Sequence, residues 1–438
     1  IKRKIIIEIY CSILFLCSSS LNIHFLLIIS FSFSLNFRKF LSLKNKVFFG
    51  RFFEKPEVKT DNSEVKLDYN VHMDYAFVNN EFDRSYSYYI PSGTIAAVRV
   101  TPYIGLKIDR GDMGKHRIMG GIDIMKNFGE NPISWGVEND PNLENLALFR
   151  EITLWYQYTR KFGGTTFNMA AGVFPRHLCG GKYTTAVFSD GVRFFDNNAE
   201  GLLMKWNREK SNYEVILDWN GLIGVDRREE FNILSYGECY LKDWLQLGWQ
   251  GMFHHYANSA AARGVVDDHM LNPFLTFNFA KMTSMQALKL SVGPFLSYQR
   301  DRRYENYTTP RGADFVLTAK KWDVGLRYEY YYGDDIMPLY DMTDAAGIKY
   351  GSNLYFRSGA WRISKDGSSS YYQNAELFWE PQIAEFVHIK LSAIAHINQE
   401  YLGWQQLLII NFDLDALHSH KAGKPSVKKQ PQKSKYFL

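Results

Sequence analysis

Two places in the chain set residues of catalytic type close together: His254 beside His255, and His177 two positions before Cys179. On an extended strand successive side chains point to opposite faces. His254 and His255 therefore cannot line one site from one strand, and a structural role is expected for them rather than metal binding. A cysteine–histidine nucleophile needs a third, orienting group. None is near His177 and Cys179 in sequence, so both read as ordinary residues at the start of a long loop. Asp334, Asp335, Asp341 and Asp344 form an acidic outer loop whose spacing lacks the glycine and closing glutamate of a calcium loop, and it reads as solvated. GxSxG, HExxH and Walker A glycines are absent. No catalytic residue, metal or cofactor is expected, and the chain is not expected to be an enzyme.

The strongest chemical lead is a set of charges of both signs on the polar parity of alternating segments. They are Asp68, Asp74, Arg99, Lys107, Arg117, Asp123, Glu214, Asp218, Asp323, Arg327, Glu329, Glu376 and Lys390. As lumen-lining candidates they would set a transverse field that passes hydrated solutes and penalises apolar ones. Any one of them could instead pair and occlude the interior. For the set a partly open lumen is expected, because a barrel of about sixteen strands is too wide for side chains alone to fill.

The elements that must position these charges are strands with two unlike faces. Val65, Leu67, Tyr69, Val71, Met73, Tyr75 and Phe77 alternate with Lys66, Asp68, Asn70, His72 and Asp74. The same period of two recurs at 96–108, 288–299, 322–330 and 387–397. These runs approach or exceed the roughly ten residues that cross a bilayer at a tilt. Tight links, as at 161–164 and 208–211, alternate with long ones, as at 177–196 and 333–370, the pattern of short periplasmic turns and long outer loops. Strand starts near 65, 94, 117, 149, 165, 198, 212, 231, 244, 267, 286, 311, 322, 371, 386 and 402 predict an all-β, antiparallel up-and-down transmembrane barrel of about 16 strands. A further pair hidden between Gly351 and Ile363 would make 18.

Composition agrees. Aromatics reach 16% of the 438 residues, yet mean hydropathy is −0.27, so apolar residues are dispersed among polar ones, unlike a helical membrane protein. So many complete apolar faces exceed what a closed dry interior can hold, whereas lipid absorbs them. A net charge of +5, part of it in the Lys-rich tail, shows no basic face for nucleic acid. Residues 1–37, basic then apolar, read as an export signal or a mistranslated upstream segment. Residues 38–64 read as a polar linker, 65–414 as the barrel and 415–438 as a Lys-rich tail.

The body resembles the porin-like outer-membrane barrels of the Bacteroidota, Gram-negative bacteria. The resemblance lies in VKLDYNVHMDYAFV, IMGGIDIMKNFGENP, FFDNNAEGLLMKWNREKSNYEVILDWNG and LGWQQLLIINFDL. It implies an aromatic in the last strand, here Phe412, although Asp413 to Leu438 follow it. The function expected is passive diffusion of small hydrophilic solutes through an outer-membrane channel, constricted by a long loop, Gly333 to Ser370 or His177 to Asp196, that folds inward. Outer-membrane lipid and solutes are the expected partners, and a homo-oligomer fits the fold. Two alternatives remain open. One is a glycan-binding or adhesive barrel using Tyr304, Tyr307, Tyr340 and Trp361. The other is a lipid-modifying barrel enzyme, for which Tyr156, Tyr158 and Ser235 lack flanking partners.

Overall fold

The structure is a computed structural model that describes residues 65–83, 89–90, 92–129, 149–225, 227–257, 259, 263–366 and 368–414. The segments read as signal, linker and Lys-rich tail lie outside the described residues. One antiparallel sheet holds seventeen strands, β1 (Val65–Glu81) to β17 (Leu402–Asp413), and closes on itself because β1 pairs with both β2 (Gly93–Asp109) and β17. Strand β12 (Asn306–Thr308) is three residues long and pairs only with β11 (Ala287–Asp301). The other sixteen span the wall, ten to seventeen residues each. The protein is a closed sixteen-strand barrel of the bacterial outer membrane.

Burial follows parity. Leu67, Ile104, Ile152 and Leu154 face outward and are exposed, while Asn70, His72, Asp74, Arg99 and Asp123 face inward and are buried. An aqueous solvent would reverse this arrangement; hydrocarbon outside the wall explains it. Tight links gather at one end, periplasmic by that rule, and long connections at the other. Two departures from the sequence reading occur. Asp323 is not on a strand. With Trp322 it forms the two-residue turn between β13 (Arg311–Lys321) and β14 (Val324–Gly333), both at positive φ, 53° and 64°. That is the turn whose twist matches paired strands. Gln286 steadies it by donating to Asp323 Oδ1 and accepting from its backbone N–H, each at 2.9 Å. Second, the segment Gly351 to Ile363 adds no strand pair: it holds the short helix α2 (Gly351–Leu354) and a 3₁₀ turn at Gly359–Trp361.

That segment belongs to a plug. The connection 334–369 between β14 and β15 (Ser370–Trp379) folds into the extracellular half of the lumen. There it meets the connection 176–197, which carries helix α1 (Asp190–Phe195). Val187, Phe188, Ile336, Met337, Leu354 and Trp361 share one apolar core with the wall residues Phe174, Phe295, Tyr331 and Tyr372. Trp361 is fully buried, 4.7 Å from the ring of Tyr372 and 5.4 Å from that of Tyr331. Large apolar residues inside an otherwise polar cylinder can be hidden only against one another, so the two loops pack as a core within the barrel.

Candidate functional site

The charged rows hold the plug and each other. Arg99 is bonded to Asp123 at 2.9 Å and donates to the carbonyl oxygens of Phe194 and Phe195 at the end of α1. Asp74, beside it on β1, accepts from Asn411 at 2.7 Å. Asp218 binds Arg176 of the first plug loop at 2.5 Å, and Glu214 accepts the backbone N–H groups of Gly180 and Gly181. Glu376 pairs with Lys390 at 2.7 Å and accepts from Ser392. Arg327 pairs with Glu329 at 2.9 Å, and Arg117 with Asp68 at 2.5 Å. A buried charge survives only when matched in this way. Many of these charges are taken up in ion pairs and loop anchors, while Asp68, Lys107, Arg117, Asp323, Arg327 and Lys390 also line an interior cavity.

What remains is a cavity of about 1220 Å³ in the periplasmic half, lined by Lys107, Arg117, Lys289, Asp323, Arg327 and Lys390 among others, and roofed by His177, Leu178 and Lys182. His177 stacks on His72 with ring centroids 3.8 Å apart. Burial pushes the Cys179 thiol well above its ordinary range, which leaves it protonated and unfit as a nucleophile. The acidic outer loop is not a solvated patch: Asp335 and Asp341 bind Arg362, and Asp344 binds Arg228 at 2.5 Å. Nor do all four proposed sugar-stacking aromatics reach solvent. Tyr304 and Tyr307 are exposed, but Tyr340 and Trp361 are buried in the plug, where their apolar surface is covered.

Sequence reading missed two polar clusters on the lipid-facing parity at the extracellular rim. The first joins β1, β2 and β17. Asn79 donates to Glu81 at 2.9 Å and to Gln406 at 2.8 Å, and accepts from Thr94 at 2.7 Å. The second joins β9 (Leu245–Ala257) and β10 (Val265–Asn278), whose register sets His255 opposite Asp267. His255 Nδ1 lies 3.6 Å from Asp267 Oδ1, and its ring stacks on Phe231 at 4.9 Å. Asp267 is gripped by Arg302, at 2.7 and 3.0 Å. Two residues along the same face, His269 sits between Phe253 and Tyr298, at 4.9 and 6.1 Å.

The separation of the histidine pair onto opposite faces is as the sequence implied. His254 points inward, fully buried, with Nδ1 at 2.8 Å from Asn232. Its outward neighbour, however, is part of a polar cluster. The signal available in the sequence was a break of parity: Asn79 and Glu81 end the apolar row of β1, and His255, Asp267 and His269 fall where lipid-facing residues are otherwise apolar. Polar groups are costly at bilayer depth and cheap at the headgroups, so such breaks at a strand end mark the interface where a lipid headgroup is met.

The family described as Lipid A 3'-O-deacylase-type matches residues 58–415. No curated protein matches the chain. Among solved structures, a loop-deletion mutant of OmpT, an outer membrane protein of Vibrio cholerae, aligns at TM-score 0.45 and 8% identity, over 80% of this chain and 99% of that one. OpdO of Pseudomonas aeruginosa aligns at TM-score 0.42 and 7% identity, over 80% and 97%. A mutant of Rh. blastica porin aligns at TM-score 0.37 and 12% identity, over 80% and 100%. The family match overturns two expectations at once, the passive solute channel and the absence of enzymatic activity. The physical reason the sequence misled is that alternating charges line the interior of a plugged barrel just as they line a pore.

Proposed function

The chain belongs to the lipid A 3'-O-deacylase-type family, and on that premise we propose that it hydrolyses an acyl ester of lipid A at the extracellular rim of the outer membrane. Hydrolysis adds water across the ester and releases a fatty acid and the sugar hydroxyl. It needs a base to take the proton of the attacking water and positive charge near the oxygen that becomes negative. For a substrate held in the bilayer, both must face outward.

One observation carries the assignment of the site. Among the described residues, seven other histidines do not form an outward imidazole–carboxylate pair: His177 packs against His72 and His396 meets Tyr372 inside the barrel, and His269, though outward, lies between the rings of Phe253 and Tyr298 and is in no ion pair. His72 and His254 approach Asp413 and Glu230 inside the barrel, His388 bonds Glu380 at the periplasmic end, and His116 meets Tyr156 near the periplasmic turns. His255 with Asp267 is the imidazole–carboxylate pair that lies outward and at the extracellular end. His255 is assigned as the base and Asp267 as the residue that positions it. The Arg302 guanidinium, half-exposed, supplies positive charge beside them.

The Asn79, Glu81, Thr94 and Gln406 cluster is the second reading, favoured by its chain of hydrogen bonds from hydroxyl to carboxylate. Purified barrel in detergent, incubated with lipid A and followed by mass spectrometry, should show loss of one acyl chain and appearance of the free acid. His255→Ala should abolish that loss while Thr94→Ala retains it. The reverse pattern moves the site to the β1–β2 rim, and an intact substrate with the folded parent protein rejects the activity.

A further inference from the structure

The interior cavity of about 1220 Å³ exceeds the roughly 300–1,000 Å³ of an ordinary small-molecule site. The plug roofs it, and it reaches the periplasmic turns at Asp323, Pro381 and Gln382, so a solute enters it from the periplasm. Several charges on its wall are matched: Arg117 holds Asp68, Lys182 holds Glu238, Lys320 holds Glu380 and Lys390 holds Glu376. Lys289 and Asp314 line the same cavity with no ion-pair partner among the described residues.

The strand register accounts for both. Asp314 on β13 stands opposite Gly293 on β11 and Tyr331 on β14, while Lys289 on β11 stands opposite Asn278 on β10 and Thr318 on β13. Neither has a cross-strand neighbour of opposite charge. Asp314 is only 5% exposed, and its Oδ1 accepts no hydrogen bond from the described residues. Arg327, on the next strand, is bonded to Glu329 at 2.9 Å, so two buried carboxylates share one guanidinium. The charges that act on Lys289 are Lys182 and Glu238, which are bonded to each other at 3.2 Å, and Glu238 also accepts from Asn212, Tyr236 and Gln246. The wall thus carries an unmatched negative charge deep in the cavity and an unmatched positive charge nearer its mouth. An unmatched charge in an interior is costly, and a ligand group of opposite sign offsets that cost.

We infer that this cavity is a periplasm-facing binding site for a small zwitterion of the size of a short peptide, whose ammonium group meets Asp314 and whose carboxylate meets Lys289. Lys289 lies four positions along β11 from Gly293, the partner of Asp314, which is about 13 Å at the rise of a strand. Less the reach of the lysine side chain, that suits charged groups about 10 Å apart, as at the ends of an extended tripeptide. The inference does not depend on hydrolysis at the outer rim.

Calorimetry on the full chain, folded in uncharged detergent at neutral pH, tests it with trialanine and with the same peptide acetylated at its amine, amidated at its carboxyl, or blocked at both ends. Free trialanine should bind at least about tenfold more tightly than each blocked form. Asp314→Asn should abolish the preference for the free amine and keep that for the free carboxyl, and Lys289→Gln should do the reverse, with heat-modified gel mobility reporting that each barrel is folded. Lys281→Gln, exposed outside the cavity, should keep both preferences. No binding of any form by the folded parent, or equal binding of all four, overturns the site. A preference for the free amine with indifference to the carboxyl overturns the zwitterion. Equal weakening of all four peptides by either variant overturns the pairing of that residue with one end of the ligand.

Discussion

Asp267 grips the guanidinium of Arg302 through two hydrogen bonds, 2.7 and 3.0 Å long, from a strand position whose side faces lipid. The same carboxylate stands 3.6 Å from His255. It thus joins a candidate base to the positive charge beside it, and its loss should be felt by one more than the other.

Asp267→Asn keeps the shape and removes the charge. Catalytic turnover on lipid A should fall by about a hundredfold or more, the range expected when general-base assistance is lost, with KM changed little. Arg302 is half-exposed, so folding stability should move by no more than about 1 kcal/mol. A fall in KM affinity with unchanged turnover would assign Asp267 to binding instead.

Arg357 reaches from the plug to Asp268 at 2.5 Å, both fully buried, and donates also to the carbonyl of Ile336. Arg357→Ala strands a buried carboxylate, and a loss of about 3–5 kcal/mol is expected, read as a lower midpoint of urea unfolding in detergent. Adding Asp268→Leu should return much of that loss, since the unmatched charge is then gone. A double variant no better than the single would show that packing rather than charge is responsible.

Trp361→Ala removes a ring packed against Phe295, Tyr331 and Tyr372. The vacated space should cost about 3–5 kcal/mol, with the barrel still closed, because none of its strand pairings involves that residue. Loss of gel-shift behaviour altogether would mean that the plug is required to form the wall.

Glu380 lies in the periplasmic connection. Partial burial raises its pKa, but hydrogen bonds from His388 and Lys320 outweigh that and hold it at about 2. A carboxyl depressed on folding stabilises above its unfolded value, near 4.3, and the benefit is lost as pH falls through the folded value. The stability gap between the parent and Glu380→Gln should therefore be full at neutral pH, narrow between about pH 4.5 and 2, and vanish below. A gap that stayed constant over that window would remove the ion pair as its cause.

How much of this was legible in the sequence depended on whether the signal was local. Alternation at 65–77 and 387–397 specifies strand and face within a few residues, and starts such as 149, 165, 198 and 402 fall where the strands begin. Asp323 shows the limit of that reasoning, since a turn of two residues keeps the period while removing them from the strand. An inward fold of the 333–370 or 177–196 loop was legible from loop length, but their packing on each other was not, because the burial of Trp361 and Tyr340 is decided by residues far away in sequence. The rim clusters left a faint local trace, polar residues on the greasy parity, but a single histidine on a strand acquires meaning only when the register brings Asp267 opposite it.

His254 touches the ring of Phe356 from inside, at 5.2 Å between centroids, and Asp268 is held by the next residue, Arg357. Their immediate chain neighbours, His255 and Asp267, look the other way. Two adjacent plug residues thus fasten the inner side of the very strands whose outer side carries His255 and Asp267, so the loops back the proposed site without touching it. Remodelling them from the lumen would reach the proposed site through the thickness of one strand.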